Sequence, residues 1–245
     1  MSQTLDNVLS PVATNATMPA SATANTTTAL TITSVSGTQI NLSFNTNNAN
    51  QPNTFGNQVY IWQAGNEIPW TSPALKSQAI TVNSPSGDLS FDGLDVTNLS
   101  YIVGYAVGPA VTSGGLWTQY PNVVASAWVP PAGGDSQYQY FTPSIDTHTI
   151  GATSLSADFA FLSGFNPQAA GAWAGIWVGT SPSYYNPPKW VTPISGSNNT
   201  GIVSFNNIQI QRGTSYTLGL YPTGFSPQQA NLGLSRLAAT HTFTN

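Results

Sequence analysis

The sequence predicts an all-β protein: two tandem antiparallel β-sandwich domains, formed by an internal repeat, with an extended N-terminal arm. Two patterns predict this fold, namely short alternating apolar segments separated by Gly, Pro, Asn and Ser clusters, and an internal repeat of about 115 residues. The composition agrees, because 40% hydrophobic and 11% aromatic residues in a chain of 245 supply enough apolar surface for two packed cores.

Four pairs of similar segments, kept in the same order, define the repeat. One pair carries an Ile-Trp dipeptide, another carries the pattern Trp-x-Ser/Thr-Pro, and a third opens an alternating strand with Ser-Tyr. The pairs are 59–65 with 174–180, 68–73 with 188–193, 87–94 with 201–208, and 98–110 with 213–225.

Each copy is predicted to contain about six strands, and no segment shows a convincing helical period. In the first copy these strands are ALTITSV, QINLSFN, QVYIWQA, DLSFDGL, YIVGYAV and VVASAWV. A segment rich in Pro and Gly separates the copies and is typical of a linker. The predicted organisation is an extended arm (1–28), sandwich repeat 1 (29–129), a linker (130–142) and sandwich repeat 2 (143–245).

The Ser-Tyr segments resemble a known corner. A hydrophobic residue, a turn and then LSY or TSY opening a strand is similar to the corner between strands E and F of fibronectin type III and related immunoglobulin-like domains. The resemblance covers both copies and implies that Tyr101 and Tyr216 tie this corner to the backbone. The sequence departs from the family at the second strand, where Phe44 and Phe161 stand and Trp follows on the next strand.

Charge is scarce, and this limits the partners. Charged residues make up 5% of the chain, against about 25% in an average soluble domain, and the net charge is −4. Four cations cannot supply the phosphate neutralisation that dominates nucleic-acid affinity, so neither nucleic acid nor an anionic membrane is an expected partner. A neutral surface favours assembly with copies of itself or other structural proteins, or binding of neutral ligands such as glycans.

The cysteine content and the targeting signals limit the predicted location of the protein. The chain has no cysteine, which excludes disulfides and thiolate metal sites. Residues 1–28 contain no Lys or Arg and no apolar run longer than two residues, and no segment reaches the roughly 20 apolar residues of a membrane span. We expect synthesis in the cytoplasm and a place on a virion or an extracellular surface without a classical signal peptide.

Few residues are available for catalysis. The chain has two histidines and eight acidic residues and lacks the common nucleophile, phosphate-binding and zinc motifs, so it is predicted not to be an enzyme and to use no cofactor. Asp146 and His148 share a strand face and form a candidate dyad, although a solvated pair on a first strand is the favoured interpretation. His241, on the last strand, is interpreted in the same way.

Three acidic residues in the first copy are candidates for a calcium-binding site. Asp88, Asp92 and Asp95 lie within GDLSFDGLDVTN, and clusters of oxygen ligands suit this ion. The second copy has none of these acids, and Asp92-Gly93 is a natural turn. The turn is the favoured interpretation, and no metal site is predicted.

Aromatic residues are the main candidates for a binding or interface site. Strand alternation places Trp62 and Trp177 opposite the neighbouring aliphatic residues, so they face outward if the aliphatic residues face the core. They then form either a stacking platform for a sugar or a contact between neighbouring domains. The alternative is that they fill the interior. Further aromatics are expected in loops or edges: Trp70, Trp117, Tyr184, Tyr185 and Trp190.

Two hypotheses for the function remain. The first is a non-catalytic structural protein of a repeating particle, such as a phage virion, a capsid decoration or a surface filament, with the arm contacting neighbours. The second is a lectin-like carbohydrate-binding module that uses the loop aromatics. The neutral arm, with Asp6 as its single charge, favours the first.

Overall fold

The structure, a computed structural model, describes residues 27–111, 117–132 and 137–245. Repeat 1 and the linker are built from short segments rich in aliphatic and aromatic residues, which favour the half-buried surface of a sheet. Their strands are β1 (Ala29–Val35), β2 (Gln39–Asn45), β3 (Gln58–Gln63), β4 (Lys76–Ala79), β5 (Ser86–Asp92), β6 (Tyr101–Ala106), β7 (Val123–Val129) and β8 (Gln139–Phe141).

Repeat 2 follows the same order of elements. It also contains one short α-helix, α1 (Pro167–Ala170), which begins at Asn166, whose side chain accepts the amide of Ala169, and ends at the left-handed Gly171. Two 3-10 helices, Gln229–Asn231 and Leu234–Arg236, precede the last strand. The strands are β9 (Ser144–Ile150), β10 (Ser154–Ala160), β11 (Trp173–Val178), β12 (Trp190–Pro193), β13 (Thr200–Asn206), β14 (Ser215–Tyr221) and β15 (Ala239–Thr244).

Each repeat is a sandwich of two antiparallel sheets. In repeat 1 the sheets have the strand orders β1-β2-β5 and β4-β3-β6-β7-β8, and in repeat 2 β9-β10-β13 and β12-β11-β14-β15. This confirms the predicted all-β fold with tandem sandwiches. β4 is not among the predicted strands, because all four residues of KSQA are exposed and show no apolar alternation.

The sandwich cores follow the two-residue period of the strands. In repeat 1, Ile40 and Leu42 of one sheet face Ile61 and Val103 of the other, and all four side chains are buried. The other faces of β3 and β11 carry Trp62 and Trp177, so what covers these outer faces determines whether the tryptophans are exposed.

The corner tyrosines make the contacts that the fibronectin type III resemblance implies. The phenol oxygen of Tyr101 accepts the backbone N–H of Asp95 at 3.0 Å, and that of Tyr216 accepts the backbone N–H of Gln211 at 2.9 Å. Each bond joins the start of a strand to the preceding turn, so both repeats fix this corner in the same way.

The two described residues that precede β1 contact repeat 2. Thr27 forms a β-bridge with Ala239, and the N–H of Thr28 donates to the carbonyl of Ala238 at 3.0 Å. Thr28 is only 1% exposed. Of the predicted arm, 1–28, these two residues are therefore paired with repeat 2, and residues 1–26 lie outside the described residues.

Candidate functional site: the interface between the repeats

Trp62 and Trp177 occupy equivalent positions on the outer faces of their sheets, as predicted, but both are buried. Each indole lies against a glycine of the adjacent strand: an added Cβ would lie 3.0 Å from Trp62 at Gly104, and 2.7 Å from Trp177 at Gly219. Only glycine at these positions leaves room for the indole ring to pack this closely against the neighbouring strand.

The loop after each strand covers its tryptophan. Trp62 donates its indole N–H to the carbonyl of Ser72 at 3.2 Å, and Trp177 donates to the carbonyl of Asn186 at 3.3 Å. Trp62 is 2% exposed and Trp177 is 7% exposed. The expectation of an outward, accessible ring is therefore corrected: alternation gives the correct face, and the following loop closes over it.

The first contact between the repeats is centred on Trp70. This residue lies in the loop between β3 and β4, and its indole N–H donates to the carbonyl of Ser163 in repeat 2 at 2.9 Å. Its ring centroid lies 5.4 Å from that of Phe165 and 5.6 Å from that of Trp117. Three aromatic rings from the two repeats thus form one apolar cluster, and Trp70 is buried in it.

Polar side chains at its rim join the repeats as well. Between the repeats, Ser163 donates its hydroxyl to the Glu67 carboxylate at 2.8 Å. Beside it, the side-chain amide of Asn66 donates to that of Gln139 on β8, in the linker, at 3.0 Å. These groups are exposed, so they set the register of the contact more than its strength.

The second contact is centred on Tyr184 and Tyr185 of repeat 2. Phe55, in the loop between β2 and β3, stacks on Tyr184 with ring centroids 5.0 Å apart and planes 8° apart. Tyr185 is 68% exposed, and its hydroxyl donates to the side-chain oxygen of Gln51 at 3.2 Å. Tyr184 is buried, and burial raises the pKa of its phenol, which therefore stays neutral.

The two contacts are reciprocal. In each, the loop between the second and third strands of one repeat packs against the loop between the third and fourth strands of the other. The repeats are thus paired side by side, with an approximate twofold relation between them.

The remaining two aromatic candidates differ in their surroundings. Trp117 is half-buried within the Trp70 cluster. Trp190 is half-buried on β12, an edge strand of repeat 2, where its ring centroid lies 6.2 Å from that of Tyr216 and the Lys189 ammonium lies 4.5 Å from the ring. Trp70 and Trp190 match in sequence, but only Trp70 has a described ring contact with the other repeat.

Phe55 and Phe165 are interface residues that the sequence prediction missed. Both are single aromatics in loops between predicted strands, where the alternation of a strand gives no signal. A comparison of the loops of the two copies could have found them, because each copy carries one Phe beside Gly or Asn in the same loop.

The candidate dyad of Asp146 and His148 does not form. His148 Nδ1 lies 3.0 Å from a carboxylate oxygen of Asp158 on β10, and Asp146 lies 3.0 Å from Nδ1 of His241 on β15. The neighbouring strand of the same sheet supplies the partner of His148, and the edge strand of the facing sheet supplies the partner of Asp146. All four side chains are at least partly exposed.

Asp88, Asp92 and Asp95 do not converge. Asp92 accepts the side-chain amide of Gln39, and Asp95 accepts that of Asn98 at 3.1 Å, while Asp88 is exposed on β5. Within the described ranges no three potential metal-binding side chains of His, Asp or Glu lie together. In the same part of the chain, no helix has the length and apolarity needed to cross a bilayer.

Comparisons with known proteins give no family for this chain. No protein-family model and no curated protein matches the sequence. Among solved structures, the chain is similar to the central fibronectin-III array of RIM-binding protein, with 9% identity, a TM-score of 0.28, and coverage of 89% of this chain and 68% of that one. It is also similar to the FN1–FN3 domains of chicken CNTN1, with 11% identity, a TM-score of 0.27, and coverage of 87% and 63%.

The sandwich architecture itself follows from the strand pairing and the two corner tyrosines. Sandwich folds of this kind support many different functions. The function is therefore argued from the surfaces of this chain.

Proposed function

We propose that the protein is a non-catalytic building block of a repeating assembly, such as a phage particle, a capsid decoration or a surface filament. Its partners are copies of itself or other structural proteins of the same assembly, and it is made in the cytoplasm and acts on a virion or an extracellular surface. The arm preceding Thr27 connects neighbouring copies. The two sandwich repeats form the body to which this arm is attached.

The edge of β13 is the observation that supports this proposal most. β13 is an outer strand of its sheet, and its sequence TGIVSFN contains no charge and no proline. Ile202 on this strand is 53% exposed. Natural edge strands are usually protected against pairing with another chain by charges, prolines or bulges. An unprotected, neutral edge favours the addition of a strand from outside.

Repeat 1 provides the contrast. Asp88 of β5 pairs with Ser43, and Ile202 of β13 pairs with Asp158, and Ser43 and Asp158 are themselves repeat equivalents. Ile202 therefore stands where repeat 1 has the edge charge of Asp88. The same fold thus accepts a protected edge, and repeat 2 lacks the protection.

A groove beside β13 is suited to an extended chain. It lies between β13 and β12, has a volume of about 430 Å³, and is lined by Thr192, Ile194, Asn198 and Ser204 among others. The lining combines backbone groups of two edge strands with neutral side chains. An added strand would gain main-chain hydrogen bonds along β13 and place alternate side chains in the groove.

The arm has a composition that matches this groove. Residues 1–28 contain seven threonines and Asp6 as their single charge, so the segment can enter a neutral groove without desolvating charges. We assign the groove to the arm of a neighbouring copy. Glycan binding is the weaker hypothesis, because four of its seven aromatic candidates, Trp62, Trp70, Trp177 and Tyr184, are buried.

Light scattering of purified protein tests the proposal. The full-length chain is expected to form large species, and a variant lacking residues 2–21, which keeps the segment next to Thr27, is expected to be monomeric. Ile202→Asp installs the residue that repeat 1 carries at the equivalent position. It is expected to reduce association at least tenfold, because adding a strand to β13 would bury the new carboxylate.

Val82→Asp is the matched control for the edge variant. Val82 is 53% exposed, like Ile202, but lies in a loop of repeat 1 outside the strands. It should leave the association unchanged. A full-length chain that is monomeric at every concentration would contradict self-assembly, and association that survives loss of residues 2–21 would remove the arm from the proposed contact.

A further inference from the structure

A network of buried polar side chains lies beside the second contact between the repeats. The side-chain oxygen of Asn57, in the loop between β2 and β3, accepts the side-chain amide of Asn50 and the hydroxyl of Tyr105, each at 2.9 Å. The Asn50 amide also donates to the hydroxyl of Thr46 at 3.0 Å. All four side chains are buried. Polar groups of repeat 1 are thus held in place by one another inside the protein.

Repeat 2 brings two phenols to the same place. Tyr184 stacks on Phe55 of repeat 1, and Tyr221 stacks on Trp173 with ring centroids 3.8 Å apart and planes 4° apart. Burial raises the pKa of Tyr105 and of Tyr221, and the nearby phenol of Tyr184 raises both further. One phenol of repeat 1 and two phenols of repeat 2 therefore lie close enough to influence one another.

Four polar atoms of this group are buried and have no hydrogen-bond partner within the described ranges. They are Asn50 Oδ1, Asn57 Nδ2 and the hydroxyl oxygens of Tyr184 and Tyr221. A buried donor or acceptor without a partner is costly, so nearly all such groups in folded proteins bond either to protein or to ordered water. Four such atoms in one group indicate a site for a small molecule that forms hydrogen bonds.

The chemistry of these atoms defines the bound molecule. The polar cluster, as we call this group, consists of Asn50, Asn57, Tyr105, Tyr184 and Tyr221. It offers an N–H donor, a carbonyl acceptor and hydroxyls that can act as either. The cluster has no charged member, because the raised pKa values keep its phenols neutral, so an ion would lose its hydration without compensation. A small neutral molecule that both donates and accepts is the suitable ligand, and water has this chemistry.

We propose that the polar cluster binds ordered water, and that this water joins repeat 1 to repeat 2 at the second contact. Buried waters make about three hydrogen bonds each, so four unpartnered atoms match one or two molecules. The aromatic stack supplies the apolar part of the contact, and the water supplies its polar part. The inference goes beyond the proposed function, since it concerns the interior of one chain rather than its neighbours.

Tyr184→Phe and Tyr221→Phe test the site, because each removes one hydroxyl and keeps the ring. A hydroxyl that bonds to water contributes to stability, so each variant is expected to lower the folding equilibrium constant at least about fivefold, as measured by urea unfolding of the full-length chain. Removal of a hydroxyl that meets no partner would leave this constant unchanged or raise it. Either of these two results would overturn the inference.

Tyr185→Phe is the matched control. Its hydroxyl belongs to the neighbouring residue, but the side chain is 68% exposed. The folding equilibrium constant is expected to change by less than about twofold. A loss in this control as large as in the two buried variants would overturn the inference, because the effect would then not depend on the buried site.

A crystal structure of the full-length chain, at a resolution that shows ordered water, identifies the occupant. The expected result is at least one water within about 3.2 Å of a cluster atom from each repeat. Direct hydrogen bonds between the Tyr184 hydroxyl and Asn57 or Tyr105, with no water between them, would overturn the inference. An ion at this place, or an interior without water, would overturn it as well.

Discussion

Trp70→Ala is expected to uncouple the two repeats. The substitution removes the central ring of the first contact, which packs on Phe165 and donates to the carbonyl of Ser163. Truncation of a buried Trp costs about 3–5 kcal/mol, and a lost hydrogen bond adds about 1 kcal/mol. Because the lost contacts join the repeats, the cost falls on their docking, and unfolding should separate into two transitions.

Urea unfolding followed by fluorescence and by far-UV circular dichroism measures this effect. The wild-type chain should give coincident transitions, and Trp70→Ala should give separate ones with a lower first midpoint. Trp190→Ala is the matched control, because it removes the sequence counterpart of Trp70 while its ring contact is with Tyr216 of the same repeat. Coincident transitions in the Trp70→Ala variant would show that this cluster does not hold the repeats together.

Trp177→Ala is expected to destabilise repeat 2 by about 3–5 kcal/mol. The ring lies on Gly219 and its N–H donates to the carbonyl of Asn186, so removal leaves a cavity under the covering loop. Unfolding of repeat 2 by urea gives the free-energy change. Neighbouring Val178 is 52% exposed, and Val178→Ala should change the free energy of unfolding by less than about 0.5 kcal/mol.

A sugar-stacking function of Trp177 would give the opposite pattern. The variant would then keep its stability and lose binding in a glycan array that the wild-type protein binds. Full stability of Trp177→Ala would contradict the buried position of this ring.

The sequence predicted the fold well, because strands have a short period that local patterns reveal. Alternation in QVYIWQ placed Ile61 and Trp62 on opposite faces, which the structure confirms. It could not predict the burial of Trp62, since the covering carbonyl of Ser72 comes from a loop ten residues later. Which face a side chain takes is local information, and what covers that face is not.

The interface between the repeats could not be predicted from the sequence for a related reason. An internal repeat indicates two similar bodies, but equivalent contacts here use different residues, Trp70 with Phe165 on one side and Phe55 with Tyr184 on the other. The Phe in the loop between the second and third strands is common to both copies, but its partners, Trp70 and Tyr184, differ in type. β8 was missed as well, because three residues in a linker give too short a pattern to predict a strand.

The side-by-side pairing of the repeats is the central claim, and small-angle X-ray scattering of the variant lacking residues 2–21 tests it most directly. One compact body of 225 residues has an expected radius of gyration of about 17 Å. Two sandwiches joined end to end, each with a radius of gyration of about 13 Å, would give a clearly larger value and a distance distribution with two maxima. A value near 17 Å with a single maximum is the predicted result, and the two-maximum distribution would contradict the pairing.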